Sequence, residues 1–135
     1  MTPVLVDTCV LLDILTANPV WAPWSTRALA AAAEEGVLVI NPIIYGEVSA
    51  SYPTIEELDS ALEPGVFRRE DLPYTAAFLA GHCYLDYRRR GGTRRSPLPD
   101  FYIGAHAAVA GYRLLTRDAT RYRTYFPTLG LIAPE

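Results

Sequence analysis

Lysine is absent from this sequence, and all 12 basic residues are arginine. A phosphate-binding loop built on lysine is therefore excluded, and nothing of the form G-x-G-x-x-G stands in its place. So uniform a choice reflects compositional bias, which strips individual arginines of meaning. Cysteine is scarce. Cys9 and Cys83 are expected to be buried thiols rather than a disulfide. With His82 and His106 they make a poor zinc set, because His82 and Cys83 are adjacent on a helix and point apart. No apolar run is long enough to span a bilayer, and the N-terminus lacks the basic flank and unbroken apolar core of a signal peptide. The expectation is a soluble cytoplasmic protein with no membrane partner.

Half of the 135 residues are apolar, enough for one domain, residues 1–135, with a core that needs no staples. "PVLV", residues 3–6, reads as a short parallel strand, since Val and Leu crowd both of its faces. A helix follows through "CVLLDIL". "WSTRALAAAAEEG" is an alanine-rich helix stopped by Gly36, with Ser25 or Thr26 near its start. "VLVI", residues 37–40, is a second strand. Asn41 and Pro42 open a short helix, "PIIYGEVSAS", and "TIEELDSAL" forms another, ended by Pro64 and Gly65. "VFRR" supplies a third strand. The longest helix runs from about Asp71 to Pro73 up to the glycine pair 91 and 92, and the loop "GGTRRSPLP" follows. Asp100 starts the helix "FYIGAHAAVAG", "YRLLT" is a fourth strand, and "LGLIAP" offers a fifth. Strands alternating with helices call for an α/β fold, a parallel sheet with helices on both faces. There is no internal repeat.

Net charge is −3, but its distribution is lopsided. Residues 1–85 hold three arginines against eleven acids, and residues 86–123 hold nine arginines against three acids. The second part is a basic surface suited to a phosphate-rich partner, or else merely a solvated face.

Asp7 ends the first strand, and the C-terminal edge of a parallel sheet is where ligands bind. Asp7 or Thr8 could equally cap the helix that follows. Asp118 in "LLTRD" repeats the situation after the fourth strand, with a turn as its plainer role. Asp100 heads a helix, where it is an N-cap candidate. Glu47 lies on the short helix after the second strand, among mostly apolar neighbours that argue against a purely solvated face. In a doubly wound sheet these four acids converge on one end. Clustered carboxylates repel unless cations separate them, and an all-oxygen set suits Mg²⁺ or Mn²⁺ rather than zinc. Asp13, nearly two turns into the first helix, is assigned to structure, and Glu34, Glu35, Glu56 and Glu57 are helix-surface acids. Gly104, Ala107, Ala108 and Gly111 form a small-residue stripe that lets their helix pack close to the sheet.

"VLVDTCVLLDIL", "INPIIYGEVS" and "LPDFYIGAHAAVAGYRLLTRDATRYRTYFPTLGLIAP" together resemble a PIN-domain ribonuclease of the VapC toxin group. The likeness covers essentially the whole chain. It implies a PIN-like three-layer sandwich with a short, mostly parallel sheet of four to five strands. It places metal-binding, catalytic carboxylates at Asp7, Glu47, Asp100 and Asp118, with Thr8 and Thr116 as supporting hydroxyls. Cys9 departs from the family, where asparagine is common. The activity implied is Mg²⁺- or Mn²⁺-dependent endonucleolytic cleavage of RNA, with one or two ions, leaving a 5′-phosphate and a 3′-hydroxyl. Arg88, Arg89, Arg90, Arg94 and Arg95 would then hold the RNA backbone, unless they only solvate a helix end. The resemblance further implies a homodimer and a VapB-type antitoxin that covers the acidic groove.

Two rivals are weaker. A haloacid-dehalogenase-like phosphatase needs a second aspartate two residues after the first, where this chain has Cys9. A binding module, including a catalytically degenerate PIN scaffold that binds RNA or protein, has no need of four convergent acids.

Overall fold

The computed structural model describes residues 2–92 and 98–135. Five strands form one sheet: β1 Val4–Val6, β2 Leu38–Ile40, β3 Phe67–Arg69, β4 Arg113–Leu115 and β5 Leu131–Ile132. All neighbours are parallel, in the order β3-β2-β1-β4-β5. Seven helices lie among the described residues: α1 Thr8–Leu15, α2 Ala22–Glu35, α3 Pro42–Ser49, α4 Ile55–Ala61, α5 Tyr74–Arg89, α6 Leu98–Ala110 and α7 Thr120–Tyr125. This is the three-layer α/β arrangement expected from the alternation of elements.

The two central strands β1 and β2 are buried along their whole length, whereas the edge strand β3 buries only Phe67. Val4, Leu5 and Val6 are fully buried, as are Leu114 and Leu115, and each such side chain contributes about 1.5–3 kcal/mol through removal from water. The chain winds outward from β1 through β2 to β3, then crosses back to lay β4 on the other flank of β1. The direction reverses between β1 and β4, and a crevice opens beyond the carboxyl ends of those two strands.

Helix ends show where local chemistry was legible and where it was overridden. Asn41 caps α3, its Oδ1 accepting from Ile44 N at 3.0 Å, and Pro42 at the first helical position gives up no hydrogen bond. Gly36 ends α2 as expected, but its backbone is extended; the Thr2 carbonyl lies where a Cβ would stand, so glycine is needed for close approach. Ser25 is no cap: α2 begins at Ala22, and Ser25 is buried inside it, donating to Asp13 Oδ2 at 2.8 Å. The small-residue stripe divides. Gly104 and Ala107 are buried, whereas Ala108 and Gly111 are exposed, and Gly104 makes room for the Phe126 ring. No described helix is long and apolar enough to cross a membrane.

Candidate functional site

A cleft of about 530 Å³ opens at the C-terminal end of β1 and β4, and Asp7, Glu47, Asp100 and Asp118 all line it. Four segments, far apart in sequence, supply them.

Asp7 fills both of the roles open to it. It is the N-cap of α1, with Oδ1 accepting from Thr8 N at 2.8 Å, and it borders the cleft. Its Oδ2 accepts from the Thr116 hydroxyl at 2.8 Å and from the Tyr122 hydroxyl at 3.0 Å. The Cys9 thiol lies 3.6 Å from the same oxygen. Burial pushes the Asp7 pKa up, and these hydrogen bonds oppose the rise by favouring the ionised form. Burial, reinforced by the Asp7 charge, pushes the Cys9 thiol up to about 12, so Cys9 serves as a neutral neighbour.

Glu47 stands on the rim of the cleft, where its Oε1 accepts from the Thr8 hydroxyl at 2.7 Å. Its pKa is raised by loss of water and by the Asp7 charge, against the Thr8 hydrogen bond. The position of α3, and so of Glu47, is tied to α6 through a buried pair: Asn41 Nδ2 donates to His106 Nδ1 at 3.0 Å. Burial lowers the His106 pKa. The neutral ring, accepting at Nδ1, then presents Nε2–H toward Glu70 Oε1 at 3.4 Å.

Asp100 is not the start of its helix. α6 begins at Leu98, because Pro99 in a first turn has no N–H to lose, and Asp100 occupies that first turn rather than the cap. Its Oδ2 pairs with Arg121 Nη1 at 2.6 Å. Burial, with the Asp7 charge next and Arg121 opposing, raises its pKa to about 6, and Glu47 adds to the rise. Asp118 is exposed, and its backbone N–H donates to the Thr116 hydroxyl at 3.1 Å. Thr116 therefore joins the strand-end turn to Asp7.

Asp13 belongs to structure. It is 1% exposed and pairs with Arg117 Nε at 2.7 Å as well as with Ser25.

Among the cleft-lining residues that escaped the sequence reading are Arg121, Tyr122 and Tyr125 on α7, and Tyr87 on α5. The spacing of Tyr122 and Phe126, both buried, was the available signal for α7. Arg88 and Arg89 are exposed at the end of α5, and Arg90 is its C-cap, pairing with Asp86 at 3.1 Å. None of the three lines the cleft itself. Arg94 and Arg95 lie outside the described residues.

The donor chemistry fits a hard divalent cation. All four acidic side chains offer oxygen only, and the Asp7 charge raises the pKa of both Glu47 and Asp100, with Glu47 adding to the rise at Asp100. As the described residues are placed, no three of Asp, Glu, His or Cys come together around one point, and the positive charge at Asp100 is that of Arg121.

A protein-family model described as PIN domain matches residues 4–127. Among solved structures, the chain is similar to VapBC2 from Rickettsia felis bound to a promoter DNA fragment, with a TM-score of 0.72 at 17% identity over 97% of this chain and 98% of that one. VapBC-1 from nontypeable Haemophilus influenzae gives a TM-score of 0.72 at 15% identity, over 97% of each chain. A toxin-antitoxin complex from Klebsiella pneumoniae gives 0.70 at 21% identity, over 98% of each. The comparison with curated proteins finds no match.

Proposed function

The chain belongs to the PIN-domain family, and from that premise we propose that it is a metal-dependent endoribonuclease of the VapC toxin kind, held in check by a VapB-type antitoxin. The observation that supports this reading best is the convergence of Asp7, Glu47, Asp100 and Asp118 on one cleft at the reversal point of the sheet. The similar folds found in toxin-antitoxin complexes support the antitoxin as partner.

In this reading Asp7, Glu47 and Asp100, with Asp118 at the rim, would hold one or two Mg²⁺ or Mn²⁺ ions, which when bound would supply positive charge to the phosphodiester and lower the pKa of a water molecule. The protein groups set the stage for that chemistry. Thr116 and Tyr122 favour the ionised form of Asp7 and fix its direction by donating to Oδ2. Thr8 orients Glu47. Arg121 balances Asp100 in the metal-free protein and stands ready to meet a phosphate. Hydrolysis breaks the bond between phosphorus and the 3′-oxygen, leaving a 5′-phosphate and a 3′-hydroxyl. A homodimer working in the cytoplasm completes the proposal.

The test is incubation of the purified protein, free of antitoxin, with total RNA in Mg²⁺, in Mn²⁺ and in chelator, followed by mapping of new 5′ ends. Discrete new 5′-phosphate ends that need the metal are expected. RNA bound but left intact in both metals would instead favour a degenerate PIN scaffold.

A further inference from the structure

The cleft lining is of two kinds. Besides the carboxylates it includes Tyr87 and Tyr125, half-buried, with ring centroids 6.2 Å apart and planes inclined at 68°. Both rest on Phe101, which is fully buried, at 5.8 Å and 5.1 Å. They form the outer layer of an aromatic cluster whose inner layer is core. A guanidinium lies by each: Arg121 at 5.8 Å from the Tyr87 ring and Arg90 at 5.3 Å from the Tyr125 ring.

Core packing accounts for Phe101, but not for two arginines layered on tyrosines at the border of an acidic cleft. A guanidinium held over a ring by cation–π attraction still has N–H donors that suit phosphate oxygens. The aromatic and guanidinium planes suit bases, which stack on either. Arg121 is also the one cation among the described residues lining the cleft, so a polyanion entering beside the carboxylates has its nearest positive partner there.

We infer that Tyr87, Tyr125, Arg90 and Arg121 form a nucleotide subsite that takes unpaired RNA, stacking a base against the tyrosine wall and pairing its flanking phosphates with the two guanidinium groups. The inference rests on the ribonuclease reading and deepens it. It selects single strands, because a base within a duplex has no face to offer, and it places substrate affinity on the wall beside the cleft rather than on Arg88 and Arg89 alone.

The experiment measures binding of a short fluorescein-labelled oligoribonucleotide, single-stranded or annealed to its complement, to full-length protein carrying Asp7→Asn, in Mg²⁺. Adding Tyr125→Leu is expected to weaken single-strand binding by roughly 5- to 100-fold, while Tyr125→Phe, which keeps the ring, preserves it. Arg90→Gln is at a side chain 59% exposed, so folding is not at issue; it should weaken binding and reduce the magnitude of the salt slope by roughly 0.7. Duplex should bind more weakly and respond little to Tyr125→Leu. Parent-like binding by both Tyr125→Leu and Arg90→Gln, or equal affinity for duplex, would overturn the subsite. Metal-dependent cleavage by the unmodified protein together with that result removes the subsite alone, whereas ring-dependent binding without cleavage in any metal removes the nuclease reading and leaves the subsite standing.

Discussion

The Thr116 hydroxyl donates to Asp7 Oδ2 across 2.8 Å, tying the residue after β4 to the residue after β1 at the point where the sheet reverses direction. The Thr116 Oγ1 in turn accepts from Asp118 N at 3.1 Å. Thr116→Val keeps the shape and deletes both bonds. It should cost about 1.5–3 kcal/mol, the range for a hydrogen bond to a charged group, read as a lower urea midpoint. Cleavage rate should fall as well, because Asp7 loses a donor that fixes its direction and favours its ionised form. Unchanged stability and rate would remove Thr116 from the support of Asp7.

Asp100 gives the metal-free protein a pH dependence. Its pKa in the fold is about 6, above its ordinary value of 3.8. The folded state therefore holds the proton more tightly, and the stability this lends is fully present below 3.8 and is lost as pH rises through about 6. Thermal melts across that window should show Tm falling with pH, and Asp100→Asn should flatten that fall. A melt profile identical in parent and variant would contradict the crowding of Asp100 with Asp7 and Glu47.

Divalent metal should reverse that destabilisation. With Mn²⁺ at about 100 times its dissociation constant, binding to the folded state alone raises Tm by roughly 5–15 °C. Asp7→Asn should shrink the shift. A Tm indifferent to Mn²⁺ in the parent would count against a cation site built by these carboxylates.

The Asn41–His106 pair ties the α3 that carries Glu47 to the α6 that carries Asp100. Asn41→Ala deletes the cap and leaves His106 Nδ1 without its donor, at a combined cost of about 2–4 kcal/mol. Asn41→Ser, which restores the cap alone, should recover about 1 kcal/mol. Chemical denaturation of the two variants checks the partition; equal losses would mean the cap contributes nothing, and full recovery by Asn41→Ser would mean the buried ring contact contributes nothing.

Asp7 and Asp118 were legible in the sequence because β1 is an unbroken apolar run and β4 carries the buried pair Leu114 and Leu115, and such runs announce both a parallel strand and the edge at which it ends. Glu47 was legible through Asn41 and Pro42, which declare where α3 begins. The two-residue error at Asp100 arose because proline and aspartate both suit a helix start, and only packing decides which stands outside. Arg121 and Tyr122 were hidden for a different reason. The i, i+4 pair Tyr122 and Phe126 is the one apolar sign of a helix around "TRYRTY", and what fixes Tyr122 is a hydrogen bond to Asp7, 115 residues away. Local periodicity holds no trace of such a contact.

The rate of metal-dependent RNA cleavage by Asp7→Asn relative to the unmodified protein, measured in Mn²⁺ with both melting cooperatively, tests the assignment of the cleft most directly. Loss of cleavage by about 100-fold or more is expected, since Asn keeps the shape but removes the charge that Thr116, Tyr122 and Thr8 N are arranged to hold. Cleavage within a few-fold of the parent would contradict it and place the chemistry elsewhere on the molecule.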